Sequence, residues 1–153
     1  MNYDMLEPSA DPNASLDALT KVFSPLYTES WTREKAPKRG IAFALNVGAF
    51  ANLWLSKSLR IFIAYDDNQK PQGYLIGMLY RPLTHNVNTF QIEDWYMRNG
   101  QSTRGLFDHV YSVLRYMGVD EVQITHQREE YFTPSEEKWR RQDDKITSVF
   151  TKV

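Results

Sequence analysis

The segment from Trp95 to Gly118, WYMRNGQSTRGLFDHVYSVLRYMG, reads as the end of a strand, a polar loop and an amphipathic helix. Apolar side chains recur at helical spacing in its second half, at Leu106, Val110, Val113, Leu114 and Met117. The pair Arg104-Gly105 stands where the helix begins, and backbone N–H groups at a helix N-terminus can bind phosphate. The stretch VDEVQIT follows the helix and predicts a strand parallel to the first one, reached by a right-handed crossover.

Three consecutive strands are predicted upstream of the loop. RIFIAYD (residues 60–66) predicts the first, and YLIGMLYRPL (residues 74–83) predicts the second. The turn residues of DNQKPQG lie between them, so the two strands are expected to form a hairpin. NTFQIEDWYM (residues 88–97) predicts the third strand, which leads directly into the loop.

Further elements are predicted at both ends of the chain. NYDMLEP predicts a short first strand, residues 11–27 a helix that Pro25 is expected to end or kink, and Ile41–Leu55 a second helix. Residues 129–142 predict a short helix and residues 145–153 a last strand. The predicted order is β-α-α-β-β-β-α-β-α-β, which is an α+β fold. We therefore expect one domain, residues 1–153, with a mixed, largely antiparallel sheet and helices on both faces.

Composition excludes several classes of function. The formal net charge is −1 and the chain has no cysteine. There is no basic excess to bind nucleic acid, and there are no thiolates for a disulfide scaffold, a metal site or a nucleophile. The scattered histidines also give no reason to expect a metal site. No apolar run approaches the roughly 20 residues that span a bilayer, so no membrane association is expected and the predicted location is the cytoplasm.

The order of elements resembles the GNAT (GCN5-related N-acetyltransferase) superfamily over essentially the whole chain. The resemblance is carried by YDMLEPSADPNASLDALTKVF, IFIAYDDNQKPQGYLIGMLY and FQIEDWYMRNGQSTRGLFDHVYSVLRYMGVDEVQI. It implies that strands four and five splay apart and that the pantetheine arm of acetyl-CoA adds to the exposed edge of strand four. It also implies a pyrophosphate site in the loop after that strand. The cofactor-binding residues it indicates are Trp95, Tyr96, Met97, Ser102, Thr103, Arg104, Gly105 and Leu106.

The family's pyrophosphate loop follows the pattern Arg/Gln-x-x-Gly-x-Gly/Ala, and this chain departs from it. Gly105 takes the place of the first glycine, but Ser102 stands at the Arg/Gln position and Phe107 at the second small residue. Two orientations of Phe107 are open at this point. A ring facing the loop would occupy the space of the pyrophosphate, whereas a ring turned inward would belong to the core.

Acetyl transfer needs a base for the amine, and related enzymes carry a carboxylate for it on strand four. Strict alternation places Gln91, Glu93, Trp95 and Met97 on one face of that strand. Glu93 is the candidate base, and Asp94 is the reserve because a bulge would exchange the two faces. The alternative is that Glu93 is a structural carboxylate paired with Arg98 or Arg81.

Two further catalytic candidates follow strand five. His126 lies at the end of that strand, where an imidazole could act as a base, although a surface histidine is the simpler interpretation. The family's usual acid is a tyrosine in the next helix, and Tyr131 is the tyrosine available there. Pro134 interrupts the segment, so Tyr131 as a packing residue is an equal alternative.

Two functions are compatible with these features. The first is an acyl-CoA-dependent N-acyltransferase that transfers an acetyl group to an amine of a small molecule or a protein. The second is a catalytically degenerate member of the fold that binds a protein partner or forms a homo-oligomer. The degenerate loop resembles those of small bacteriophage-encoded members, for which a virion-assembly or host-directed role, and a location in the virion, would follow. The surplus of aromatics, including Trp31, suits an acceptor pocket, a core or an interface.

Overall fold

The computed structural model of the chain describes residues 1–40, 43–84, 86–125, 138–143 and 147–152. Its centre is a seven-stranded sheet with the order β1-β2-β3-β4-β5-β7-β6. Only β4 and β5 pair in parallel among these neighbours, and the other pairs are antiparallel. The predicted mixed, largely antiparallel sheet is therefore confirmed. The strands are β1 (Asn2–Leu6), β2 (Leu59–Tyr65), β3 (Pro71–Tyr80), β4 (Thr89–Met97), β5 (Glu121–Thr125), β6 (Trp139–Asp143) and β7 (Thr147–Lys152).

A long helical run follows β1 and extends well beyond Pro25, the residue predicted to end or kink it. It consists of α1 (Pro12–Ala18), α2 (Ser24–Ser30) and α3 (Ala36–Arg39), joined by π-helical turns at Leu19–Phe23 and Trp31–Lys35. Each π turn comes just before a segment that has proline near its start. Proline lacks an N–H and its ring crowds the preceding turn, and the wider π turn relieves that conflict without ending the helix.

The second predicted helix, Ile41–Leu55, is shorter in the structure. Here α4 (Val47–Leu55) begins at Asn46, whose side-chain oxygen accepts a hydrogen bond from the backbone N–H of Ala49 at 3.2 Å. An asparagine cap of this kind stops a helix from extending toward its N-terminus. The helix of the opening segment is confirmed as α5 (Arg104–Tyr116), and Gly118 follows it with a φ of +83°.

The short helix predicted for residues 129–142 is wrong over its described part. Residues 129–137 lie outside the described residues, but Trp139–Asp143 forms β6, which pairs with β7. The Trp139 ring packs against Tyr111 of α5 at a centroid distance of 5.8 Å and is buried. Pairing and burial of this kind outweigh local helix propensity.

The sheet separates two apolar layers, so helices cover both faces as predicted. On one face Phe107 and other apolar residues of α5 pack against sheet residues that include Phe62, Leu75, Phe90, Ile92, Val122 and Phe150. On the other face the helical run and α4 pack through Phe23, Leu26 and Trp54 against sheet residues that include Ile61, Ile63, Tyr74 and Ile76. Among the described residues, no helix has the length and apolar character needed to cross a membrane.

Candidate functional site

Strand β4 loses its neighbour halfway along. β5 pairs with it only from Thr89 to Ile92, whereas β3 pairs with it to Met97. In the described part of the chain, residues 93–97 therefore have no partner strand on the side of β5. An unpaired strand edge presents N–H and C=O groups to which an extended molecule can bond.

A β-bulge lies where the two strands part. Asp94 pairs with Ile76 and Ile92 pairs with Gly77, so Glu93 is the extra residue. The bulge reverses the alternation of side chains along β4. The prediction that one face carries Gln91, Glu93, Trp95 and Met97 is therefore wrong. Trp95 and Met97 belong to the α5 layer together with Ile92, whereas Asp94 contacts the helical run on the other face.

Glu93 lies at this bulge with an exposed side chain. Desolvation, followed by the negative charge of Asp94, raises the pKa of the Glu93 carboxyl above its usual value. The two arginines considered as its partners bind elsewhere. Arg98 donates to Glu29 at 2.8 Å, and Arg81 donates to two asparagine side chains at 3.0 Å. A group with a raised pKa at an open strand edge has the properties of a proton acceptor.

Four hydrogen-bond donors surround the carboxylate of Asp94. Its Oδ2 accepts hydrogen bonds from Tyr74 Oη at 2.8 Å and Trp31 Nε1 at 3.1 Å. Its Oδ1 accepts the backbone N–H of Trp95 at 2.9 Å and forms an ion pair with Lys35. Burial and the Asp94 charge raise the pKa of Tyr74, which keeps the phenol protonated as a donor. A carboxylate held in this way is a structural acceptor, so we rank Asp94 below Glu93 as a base.

The loop after β4 brings the predicted phosphate-binding residues to the N-terminus of α5. Ser102 Oγ accepts the N–H of Arg104 at 3.2 Å, and the carbonyl of Thr103 accepts the N–H of Phe107 at 3.0 Å. The N–H groups of Gly105 and Leu106 lie in the same first turn, where a helix has no acceptors of its own. The positions therefore suit an anion, although Ser102 already caps one of the donors.

Gly105 has a packing role that the sequence did not indicate. A Cβ at this position would overlap the hydroxyl and ring of Tyr3 on β1. The Tyr3 ring also stacks on His109, one helical turn further along α5, at 5.8 Å. Contact between β1 and α5 is thus a sufficient reason for a glycine here.

Phe107 is turned inward. Its side chain is fully buried and meets Trp95 edge to face at a centroid distance of 5.5 Å. It shares the α5 layer with Leu106 and Val110, so the inward alternative is confirmed. The ring does not occupy the loop.

The remaining catalytic candidates, His126 and Tyr131, lie outside the described residues. The described part of β5 ends at Thr125, which is next to His126 in sequence. The roles of both residues stay predictions.

An aromatic pocket lies beside Trp31, one of the side chains that form hydrogen bonds with Asp94. It has a volume of about 320 Å³ and opens between the helical run and α4. Its lining residues are Tyr27, Trp31, Phe43, Ala44, Leu45, Asn46, Ala49, Phe50 and Leu53, none of which carries a charge. The Trp31 ring stacks on Phe43 at 6.0 Å while its Nε1 donates to Asp94. Sequence reasoning had singled out Trp31 only as one of several aromatics, and it gave no signal for Lys35 or Tyr74.

Comparison with known proteins finds a similar fold in solved structures of acetyltransferases. No protein-family model matches the sequence, and no curated protein is significantly similar to it. Among solved structures, an aminoglycoside acetyltransferase from an uncultured soil metagenomic sample, in complex with sisomicin, is 14% identical with a TM-score of 0.59, over 84% of this chain and 78% of its own. The ribosomal-protein-alanine N-acetyltransferase of Brucella melitensis biovar Abortus 2308 is 12% identical with a TM-score of 0.58, over 85% and 83%.

A third similar structure contains the cofactor. It is a predicted acetyltransferase from Clostridium acetobutylicum with acetyl-CoA, which is 12% identical with a TM-score of 0.52, over 86% of this chain and 94% of its own. Identities this low show a common fold and do not show a common substrate. The chain described here therefore has the fold of the GNAT acetyltransferases.

Proposed function

We propose that the protein is an acyl-CoA-dependent N-acyltransferase that transfers an acetyl group to an amine. The observation that carries the proposal is the open half of β4. In a chain with the GNAT acetyltransferase fold, β5 leaves β4 after Ile92, and a bulge places Glu93 at the point of separation. A strand edge with no neighbouring strand in the described part of the chain, beside a carboxylate of raised pKa, suits a thioester carried on an amide-rich arm.

The residues of the open edge and the following loop fit acetyl-CoA. Peptide groups of Trp95 and Met97 would bind the pantetheine arm as an added strand, while Tyr96 between them directs its carbonyl toward β3. The first turn of α5, with Ser102, Thr103, Arg104, Gly105 and Leu106, would bind the pyrophosphate through backbone N–H groups and the helix dipole. The inward position of Phe107 leaves that turn accessible. When bound, the cofactor supplies an activated acetyl group as its thioester.

Glu93 would act as the base for the acceptor amine. The amine reacts as its neutral form, and Glu93 would take the proton lost from nitrogen as the C–N bond forms and the C–S bond breaks. The raised pKa of Glu93 makes it a better proton acceptor than an ordinary exposed carboxylate. His126 is a second possible base, and Tyr131 is the proposed acid that protonates the departing thiolate.

The acceptor would be an amine with an apolar or aromatic body. Four aromatic rings wall the pocket beside Asp94, and none of the residues that line it is charged. The lining offers no carboxylate to a polycationic acceptor, whereas an aryl or alkyl group buries apolar surface against these walls. This chemistry differs from that of sisomicin, the ligand of the soil aminoglycoside acetyltransferase.

The proposal is tested first by ligand binding and then by turnover. At a concentration 100 times Kd, a ligand stabilises the native state by about 2.7 kcal/mol. For a chain of 153 residues this corresponds to an increase in Tm of about 5–10 °C with acetyl-CoA or CoA. Release of CoA thiol is then followed with a panel of arylalkyl and polyamine acceptors. Glu93→Gln should keep CoA affinity and lose most of the turnover.

The second candidate function is a binding module without acetyl-CoA turnover, for example in virion assembly. Two observations favour it. The contact with Tyr3 explains the glycine at position 105 by packing alone. Side chains of this chain also form hydrogen bonds with the peptide groups of Trp95. If millimolar acetyl-CoA and CoA leave Tm unchanged, the enzyme proposal is wrong and this alternative replaces it.

A further inference from the structure

Both peptide groups of Trp95 point to the open side of β4. The carbonyl of Tyr96 lies toward β3, at 2.5 Å from where a Cβ of Gly73 would be. Successive residues of an antiparallel strand direct their N–H and C=O groups to opposite sides. The N–H and C=O of Trp95 therefore point away from β3, toward the edge that β5 has left.

Side chains of this chain bond both of these groups. Asp94 Oδ1 accepts the Trp95 N–H at 2.9 Å, and Lys35 Nζ donates to the Trp95 carbonyl at 3.1 Å. An added strand or an extended ligand would form the same pair of hydrogen bonds, one accepting and one donating. At Trp95 the side chains of Asp94 and Lys35 thus form the hydrogen bonds that a bound ligand would form.

The Lys35 ammonium is firmly placed at this edge. Besides the Trp95 carbonyl it donates to Tyr74 Oη at 3.1 Å and pairs with Asp94. Its three N–H groups therefore have three acceptors. About a fifth of the Lys35 side chain is exposed, at 22%, and 14% of that of Asp94. Lys35 stands at the end of a π turn and reaches the sheet through a flexible four-carbon chain, so release from Trp95 requires only a change of its rotamers.

We infer that Lys35 is an internal competitor for the acyl-CoA edge, which must leave the Trp95 carbonyl before an extended ligand can bind there. The inference rests on the proposed function and adds a regulatory element to the same site. Lys35 lowers the affinity for acyl-CoA while keeping the empty strand edge hydrogen-bonded. After displacement, the ammonium can stay paired with Asp94, so its charge is never left without a counter-charge.

Affinity measurements on matched variants test the inference. Lys35→Met keeps most of the aliphatic chain and removes the donors, so CoA should bind about tenfold more tightly, the effect of one hydrogen bond to a charged group. Lys21→Met is the control, because Lys21 forms an exposed pair with Asp17 away from β4. Titration calorimetry with CoA is applied to the wild type and both variants.

The outcomes separate the two proposals. Tighter binding by Lys35→Met than by the wild type, with no gain in Lys21→Met, supports the inference. Binding by the wild type with no gain in Lys35→Met overturns the inference and leaves the proposed function intact. No binding by the wild type at millimolar CoA overturns the proposed function and this inference with it.

A measurement on the wild type covers the case in which Lys35→Met does not fold. The ammonium protons of a hydrogen-bonded lysine exchange slowly enough to be observed by ¹⁵N-edited NMR. The Lys35 signal should be visible in the free protein and should shift or vanish at saturating CoA. An unchanged signal in the CoA complex would overturn the inference.

Discussion

Replacing Phe107 with alanine tests whether its ring points into the core and so leaves the loop after β4 accessible to a ligand. The Phe107 side chain is fully buried against Trp95. Truncation of a buried phenylalanine costs about 3–5 kcal/mol through lost apolar burial and the cavity that remains. In a chain of 153 residues each kcal/mol lowers Tm by about 2–4 °C, so the expected loss is about 6–20 °C.

The assay is thermal unfolding with and without CoA, and two controls define its scale. Phe107→Leu preserves most of the volume and should cost less than about 1.5 kcal/mol. Tyr116→Ala removes an aromatic ring from the same helix, but that ring is 93% exposed, so Tm should barely change. A loss below about 2 °C in Phe107→Ala, together with tighter CoA binding, would refute the inward position and show that the ring had blocked the phosphate site.

Three further changes have defined outcomes. Gly105→Ala should lower Tm because its Cβ would overlap Tyr3, and the loss should largely disappear in a Tyr3→Ala background, measured as a double-mutant cycle; equal losses in both backgrounds would contradict the contact. Folding raises the pKa of Glu93, so the native state disfavours its charge and Glu93 lowers stability as pH rises through that pKa. Glu93→Gln should therefore gain stability relative to wild type between pH 4 and pH 8 in denaturant titrations, and a relative loss would reverse the sign of the shift. Ala49→Phe should fill the aromatic pocket and raise KM for an arylalkyl amine about tenfold or more at unchanged CoA affinity, and an unchanged KM would exclude the pocket as the acceptor site.

Elements with a strong local signal could be predicted from the sequence. The apolar stripe of α5 and its terminal Gly118 predict that helix, and the turn DNQKPQG predicts the hairpin of β2 and β3. The start of α4 and the strand at Trp139–Asp143 were missed for different reasons. The Asn46 cap sets the start of α4, and its strength depends on side-chain geometry, whereas β6 forms because β7 lies beside it. Tertiary pairing leaves little trace in local sequence.

The elements around the candidate site could be predicted from the sequence, but the contacts between them could not. The strand, loop and helix around Gly105 were placed correctly, but the bulge at Glu93 exchanged the faces of the residues that follow it. A bulge depends on the register with β3, which a single strand does not encode. Lys35 is 60 residues from Trp95 in sequence, and the contact of Tyr3 with Gly105 likewise joins distant elements. Only the folded chain brings these pairs together.

The central claim is that acyl-CoA binds along the open half of β4 and at the first turn of α5. Titration of CoA into the ¹⁵N-labelled protein, followed by amide chemical shifts, tests it most directly. We expect the largest changes at Trp95, Met97, Gly105 and Leu106, with little change along the outer strand β1 at residues distant from Tyr3. Absence of shifts at millimolar CoA, or shifts confined to other surfaces, would contradict it.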